Sequence, residues 1–270
     1  MLSDCHMHSH HSGDSEAPMK DMIEQSIALN FKTICFTEHM DMDFVESPGV
    51  TKETFLLDVN SYRKELMELK DFYSSKIKVI FGVEVGLQPH IVKENSTFVK
   101  ENNFDFVIGS SHLCNKKDPY LASFFENRSD EEGYREYFES EYDNILVNDC
   151  FDVYGHLDYV VRYGASKDTN YSYNKYSDIF DMILKALIER QKGIEVNTSG
   201  LAKGLRSFHP SIDVLKRYKE LGGEILTVGS DAHKPEAIGY AFDKTCELIK
   251  ECGFNYITVF EKQTPSFVKI

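Results

Sequence analysis

His6 and His8 stand one residue apart in the run Asp4-Cys5-His6-Met7-His8-Ser9. In an extended chain alternate side chains project to one face, so the two imidazoles would form a two-point metal clamp at the mouth of a strand. The same residue types recur downstream. Thr37-Glu38-His39, Gly82-Val83-Glu84, Ser110-Ser111-His112, Gly155-His156 and Ser230-Asp231-Ala232-His233 each close an apolar, strand-like run. Taken singly, a strand-end histidine is usually a hydrogen-bonded structural residue, and Asp14 could simply cap the helix that follows Pro18. Their co-occurrence carries the reading, because burying so many imidazoles and carboxylates without a metal would leave costly uncompensated charge.

Other chemistries are less well supported. The six cysteines (Cys5, Cys35, Cys114, Cys150, Cys246 and Cys252) form no CxxC pair, and two of them lie inside strand-like runs. That suits reduced, buried thiols rather than a disulfide frame. Even Cys114, just after His112, reads as an inert thiol. Ser110, Ser111 and Ser230 belong to ligand-bearing strand ends with no nucleophile elbow around them.

The elements that must carry these residues alternate between strand and helix. A helix is predicted from about Pro18, with proline in its first turn and Met22, Ile23 and Ile27 at helical spacing. Strands are predicted at 32–37, 78–84, 104–108, 151–154, 193–197 and 224–228. A helix near 177–191 places Ile179, Phe180, Ile183, Leu184, Leu187 and Ile188 on one side and stops at Gly193, and helices near 211–221 and 242–252 also end at glycine. Counting the strand that carries His6, seven strands with intervening helices point to a closed or nearly closed β/α barrel, and an open α/β sheet is the alternative. In such a barrel the C-terminal strand ends form the active face, where every motif above falls. Residues 40–56 and 113–135 interrupt the rhythm directly after candidate ligands, as lids or surface excursions. Tyr134, Tyr137 and Phe138 read as a helix's buried face.

Composition sets the outer bounds. The chain has 270 residues, 41% of them hydrophobic, enough for one domain spanning 1–270. A formal net charge of −14 disfavours nucleic acid and anionic membrane, leaving a small molecule as the expected partner. The opening Met1-Leu2-Ser3-Asp4 has no signal-peptide character, and no apolar run approaches the ~18 residues of a membrane helix, so a cytoplasmic location is expected.

The order HxH, Asp14, TEH, GVE, SSH, GHLD and SDAH resembles the polymerase and histidinol phosphatase (PHP) superfamily. The run 195–201, Glu-Val-Asn-Thr-Ser-Gly-Leu, and the ending 230–239, Ser-Asp-Ala-His-Lys-Pro-Glu-Ala-Ile-Gly, resemble its histidinol-phosphate phosphatase branch. The resemblance implies a distorted, TIM-barrel-like (β/α)7 barrel holding up to three divalent ions of zinc, iron or manganese. It places the first ion on His6, His8, Glu84 and Asp231, the second on Glu84, His112 and His156, and the third on Asp14, His39 and His233. Glu84, Asp231 and His39 would be catalytic, with His39 or Asp158 conceivable as proton donor to the leaving group. Other family members place histidine at the Asp14 position, and a carboxylate there favours a harder ion. Closely spaced ions would acidify a shared water and orient a phosphate for in-line attack.

Arg162 and Arg206 suit the non-bridging phosphate oxygens, since a planar guanidinium binds two at once, whereas Lys203 reads as surface charge. His10, His11, His90 and His209 stay outside the metal set. The implied reaction is hydrolysis of L-histidinol phosphate, a phosphomonoester, in histidine biosynthesis. The rivals are another phosphoesterase acting on nucleotides or DNA 3′ ends, a metal-dependent amidohydrolase, and a closed structural or storage metal site.

Overall fold

The computed structural model describes residues 3–270. Seven parallel strands lie side by side in chain order: β1 (Ser3–Met7), β2 (Thr33–Phe36), β4 (Lys78–Gly86), β5 (Phe106–Ser110), β6 (Val153–Tyr154), β7 (Gly193–Asn197) and β8 (Leu226–Gly229), while the two-residue β3 (His39–Met40) pairs with β4 above β2. The ring closes between β1 and the chain just beyond β8. Met7 bridges Ala232 in parallel, Asp231 N donates to the His6 carbonyl at 2.8 Å, and His8 N donates to the Ala232 carbonyl at 2.8 Å. The barrel reading therefore holds and the open sheet does not.

Helices α1 (Met19–Ala28), α2 (Val59–Phe72), α3 (Val92–Asn102), α4 (Asp130–Val147), α5 (Ser177–Glu189), the short α6 (Ser199–Ala202), α7 (Ile212–Glu220) and α8 (Phe242–Glu251) connect the strands. Their apolar faces and the outward side chains of the strands form the main core, including Tyr134, Tyr137 and Phe138 on α4. Inside the barrel Cys5, Cys35, Ile80, Phe106, Ile108 and Val153 form a second, smaller core. None of the described helices is long and apolar enough to cross a membrane.

A register shift in β1 is decisive for the site. Asp4 pairs with Ile34 and Met7 with Phe36, so three residue steps on β1 match two on β2. This bulge breaks strict alternation. Cys5 fills the barrel while its neighbour His6 also points inward, with Met7 returned to the outer core. Glycine clears the space: a Cβ on Gly229 would sit 2.3 Å from the His6 Cβ and 2.4 Å from Glu195 Oε1.

Several boundaries differ from the sequence expectation. The strand expected at 104–108 is shifted to Phe106–Ser110, because Ser110 belongs to the barrel wall and donates to Glu84 Oε1 at 2.6 Å. Helices α7 and α8 are followed by left-handed Gly222 and Gly253, but after α5 the left-handed residue is Gln191. Gly193 is instead needed for packing, since a Cβ there would lie 2.4 Å from Ile225 Cγ2. A hairpin of β9 (Tyr256–Glu261) and β10 (Thr264–Lys269) adds to the expected elements. It presses Val259 and Phe260 into the barrel floor, Phe260 stacking on Phe106 at 5.1 Å.

The seam between β1 and β8 is tied by Asp4, which is fully buried. Its Oδ1 accepts from Ser230 N at 2.9 Å, and its Oδ2 from Ser230 Oγ at 2.5 Å and Gly239 N at 3.2 Å. Asp4→Asn turns an amide N–H toward one of these donors. It should cost about 2 kcal/mol in urea unfolding, the scale of buried hydrogen bonds lost at a charged group. Unchanged stability would mean that the seam holds without Asp4.

Candidate metal centre

Every candidate ligand borne by the barrel strands lies near a C-terminal strand end or just beyond it: His6 on β1 and His8 past it, His39 past β2, Glu84 on β4, His112 past β5, His156 past β6, and Asp231 and His233 past β8. Two of these positions bend sharply. His156 (φ 25°) and Asp231 (φ 55°) occupy the left-handed region that non-glycine residues rarely adopt, and such strain concentrates at functional sites.

The structure brings together all nine residues of the expected metal set. His6 Nε2 lies 3.1 Å from His8 Nε2, 3.3 Å from Glu84 Oε2 and 3.7 Å from Asp231 Oδ1. His8 Nε2 lies 3.6 Å from Glu84 Oε2 and 3.5 Å from Asp231 Oδ1. A tetrahedron of N and O donors with bonds near 2.0–2.1 Å has edges of about 3.3 Å. His6, His8 and Asp231 therefore lie mutually close enough to share one ion, with a Glu84 oxygen beside both imidazoles.

Glu84 offers its other oxygen to a second group: Oε1 lies 3.2 Å from His112 Nε2 and 3.0 Å from His156 Nε2. The third group is looser. Asp14 Oδ1 is 3.6 Å from His39 Nε2, and its Oδ2 is 3.2 Å from His233 Nε2. Asp14 thus does not cap α1, whose N-cap residue is Pro18 with no side-chain cap hydrogen bond.

The electrostatics argue for a bound cation. Glu84 is completely buried, its Oε2 lacks any hydrogen-bond partner, and so does His39 Nδ1 at 3.0 Å from it. Burial would raise the Glu84 pKa, yet His6, His112 and His39 hold it well below the usual carboxylate range. Burial likewise disfavours charge on His112, but Asp41 and Glu84 push its pKa up to about 10. Without an ion, protons on imidazoles must balance the buried carboxylates. A divalent cation among the same donors would supply that charge directly, and mixed imidazole and carboxylate donors suit zinc, iron or manganese.

Around the donors stands a set of orienting groups that residue spacing alone does not single out. Glu195 Oε1 accepts a hydrogen bond from His6 Nδ1 at 2.7 Å, and its Oε2 accepts from His156 N at 3.1 Å. Asp41 Oδ1 holds His112 Nδ1 at 2.7 Å. Ser12 Oγ meets His8 Nδ1 at 2.9 Å and donates to Glu38 Oε2 at 2.6 Å. Asp231 Oδ2 is held by Ser199 Oγ at 3.0 Å and Asn197 Nδ2 at 3.4 Å. The chain does carry one signal for them: Glu195, Asn197 and Ser199 recur at every second residue through and past an otherwise apolar strand.

Arg162 is buried at the cluster's edge, with Nη2 3.5 Å from Asp231 Oδ2 and its guanidinium 4.8 Å from the Tyr159 ring centroid. Arg206 is not brought to the cluster. Its exposed side chain pairs with Asp168 at 3.2 Å, because the loop after α6 turns it outward. Lys203 caps α6. Asp158, conceivable as a proton donor, is committed to His209 Nδ1 and to Ser211 N at 2.8 Å. The candidate serines are engaged too: Ser110 with Glu84, Ser111 with Tyr154 and Ser230 with Asp4. All six cysteines are free thiols, and burial pushes Cys114 up to about 12. His90 pairs with Asp43 at the surface.

Residues 4–199 match the PHP domain model. The chain is 33% identical over 258 residues to the histidinol-phosphatase of Lactococcus lactis subsp. lactis, covering 95% of this chain and 93% of that protein. It is 32% identical over 263 residues to a protein of Clostridium acetobutylicum named a probable histidinol-phosphatase, covering 97% of this chain and 98% of that protein. The crystal structure of the Lactococcus lactis histidinol phosphate phosphatase complexed with zinc, L-histidinol and phosphate superposes with a TM-score of 0.89 at 32% identity, covering 98% of both chains.

Metal binding should release protons, because His112 must lose the proton that Asp41 and Glu84 favour. Its pKa is raised, so the proton is fully present at neutral pH and below, and metal affinity should weaken as pH falls. Calorimetry in buffers of different ionisation enthalpy reads this release directly. Asp41→Asn should lower metal affinity about 10–100-fold, the usual effect of losing a carboxylate behind a ligating histidine. Unaltered affinity would show that Asp41 does not orient His112.

Proposed function

Because this chain belongs to the PHP domain family, we infer that it is a metal-dependent phosphomonoesterase that hydrolyses L-histidinol phosphate to L-histidinol and phosphate, a step of histidine biosynthesis. The observation that carries this reading is the bridging carboxylate. Glu84 presents Oε2 to His6 and His8, and Oε1 to His112 and His156, from a position with no solvent contact.

His6, His8, Glu84 and Asp231 would hold one ion, Glu84, His112 and His156 a second, and Asp14, His39 and His233 a third, within a single domain spanning 1–270. When bound, divalent ions supply Lewis-acid charge to the phosphate oxygens and lower the pKa of a shared water. The chain's own residues do the rest. Glu195, Asp41 and Ser12 fix the imidazole orientations, so that the donor set is organised in advance of substrate. Arg162 supplies a fixed positive charge beside Asp231 and takes a non-bridging phosphate oxygen. Tyr159, whose ring stands 4.9 Å from His156, and Phe55, 5.5 Å from His39, wall the mouth with aromatic surface that excludes water and suits an imidazole. Arg206 would have to leave Asp168 to join the grip.

The engagement of Ser110, Ser111 and Ser230 in structural hydrogen bonds favours direct attack by water over a covalent serine intermediate. The charge of −14 favours a small substrate over a nucleic acid end.

The deciding measurement is phosphate release by metal-replete protein from L-histidinol phosphate, beside nucleoside monophosphates, a single-stranded oligonucleotide and an aryl phosphate, with a chelated control. A preference for histidinol phosphate by orders of magnitude, abolished by chelation, is expected. Equal turnover of all substrates would overturn the assignment. Glu84→Ala should lose metal and activity together. Arg162→Ala should keep its metal and lose about tenfold or more in kcat/KM, since it removes a charged contact to phosphate.

A further inference from the structure

We propose that His10, His11 and Glu65 form an additional binding site for a divalent transition ion such as zinc at the outer rim of the barrel. His10 Nε2 and His11 Nε2 converge on the same carboxylate oxygen, Glu65 Oε2, at 3.2 Å and 3.0 Å. These separations approach the ~3.3 Å spacing of N and O donors bonded to one zinc ion. Two imidazoles with one carboxylate are also a donor set that keeps an open position on zinc.

The donors are held in place. Glu38 grips both flanks of the pair, accepting from Ser9 N at 3.0 Å, Ser9 Oγ at 2.5 Å and Ser12 Oγ at 2.6 Å. The His11 ring lies 5.6 Å from that of Tyr62, three residues before Glu65 on α2. His10 and Glu65 have side chains 42% and 34% exposed, so the site exchanges with solvent. Imidazole donors favour zinc, cobalt or nickel over magnesium or calcium.

Equilibrium dialysis of the metal-replete protein against buffered free zinc, with ions per chain counted by elemental analysis, tests this site. At saturating zinc, wild type should take up one ion per chain more than His11→Ala or Glu65→Gln. Both variants should keep basal turnover at low zinc, which reports that they fold, and the exposed His10→Ala serves as an independent third. Equal zinc uptake by wild type and the variants would overturn the site.

A different observation assigns a positioning role to His209 and Asp158, and this second inference rests on the phosphate role of Arg162. His209 is fully buried although it belongs to none of the metal-ligand groups. Its Nδ1 donates to Asp158 Oδ1, leaving the Nε2 lone pair to accept from Arg162 Nε at 2.9 Å. Ser211 N fixes the far oxygen of Asp158 at 2.8 Å. The His209 backbone is locked to the end of β7, donating to the Asn197 carbonyl at 2.8 Å and accepting from Asn197 N at 2.7 Å. Arg162 Nη2 donates to Ser199 Oγ, which itself holds Asp231 Oδ2. With Nε and one Nη2 hydrogen engaged, the remaining guanidinium hydrogens are aimed rather than free to swing.

His209→Ala should lower kcat/KM for L-histidinol phosphate about tenfold, as expected for one lost hydrogen bond to a charged group, with metal content unchanged. His209→Gln, whose amide also donates and accepts, should recover part of the loss. In an Arg162→Ala background His209→Ala should have no further effect, since it acts through the arginine. Fully additive losses, or wild-type turnover by His209→Ala, would overturn the positioning role. Wild-type turnover by Arg162→Ala would instead overturn the phosphate reading beneath it.

Discussion

Two carboxylates, Glu84 and Asp231, are held among imidazoles at the mouth of the barrel, and their negative charge is the constraint to which the surrounding structure answers. Glu84 has no access to water, and one of its oxygens has no hydrogen-bond donor. An isolated ion of this kind would be too costly to bury, so positive charge has to arrive from a partner. Imidazoles from β1, β3 and the ends of β5 and β6 surround it, and several are turned by a further carboxylate or hydroxyl, as Glu195 turns His6, Ser12 turns His8 and Asp41 turns His112. The arrangement makes the centre a single electrostatic unit: removing one carboxylate alters the protonation of several histidines together.

The barrel supplies the geometry for that unit through small departures from regularity. Parallel pairing sets the strand ends at one level. The bulge in β1 lets Cys5 fill the interior while His6 rises into the site, and the bare Gly229 opposite leaves room for the His6 Cβ and the Glu195 carboxylate. Left-handed turns at His156 and Asp231 swing their side chains across the mouth. The hairpin of β9 and β10 closes the opposite end, so the interior is a packed floor beneath an ionic lid and not a channel.

The ligand motifs are legible in the chain because metal chemistry restricts residue type, and each motif sits where an apolar run stops. The ring of strands is legible because helical and extended periodicities alternate. The C-terminal hairpin is not, since its turn uses left-handed Lys262 and Gln263 where glycine or asparagine would have marked it. Arg206 looks equivalent to Arg162 along the chain, as both follow ligand-bearing or strand-end segments, but only Arg162 is folded inward.

The sequence by itself determined which side chains could bind metal, that they stand at strand ends, and that the chain carries strong net negative charge. Those properties are local, set by residue chemistry and by backbone periodicity. Only the tertiary structure decided which donors stand close enough to share an ion, that Glu84 faces two groups with its two oxygens, and that His209 lies behind Arg162. Residues 84, 156, 195 and 231 meet through barrel closure, and such non-adjacent contacts depend on register, bulges and clearance measured in tenths of an ångström. No spacing along the chain encodes those distances.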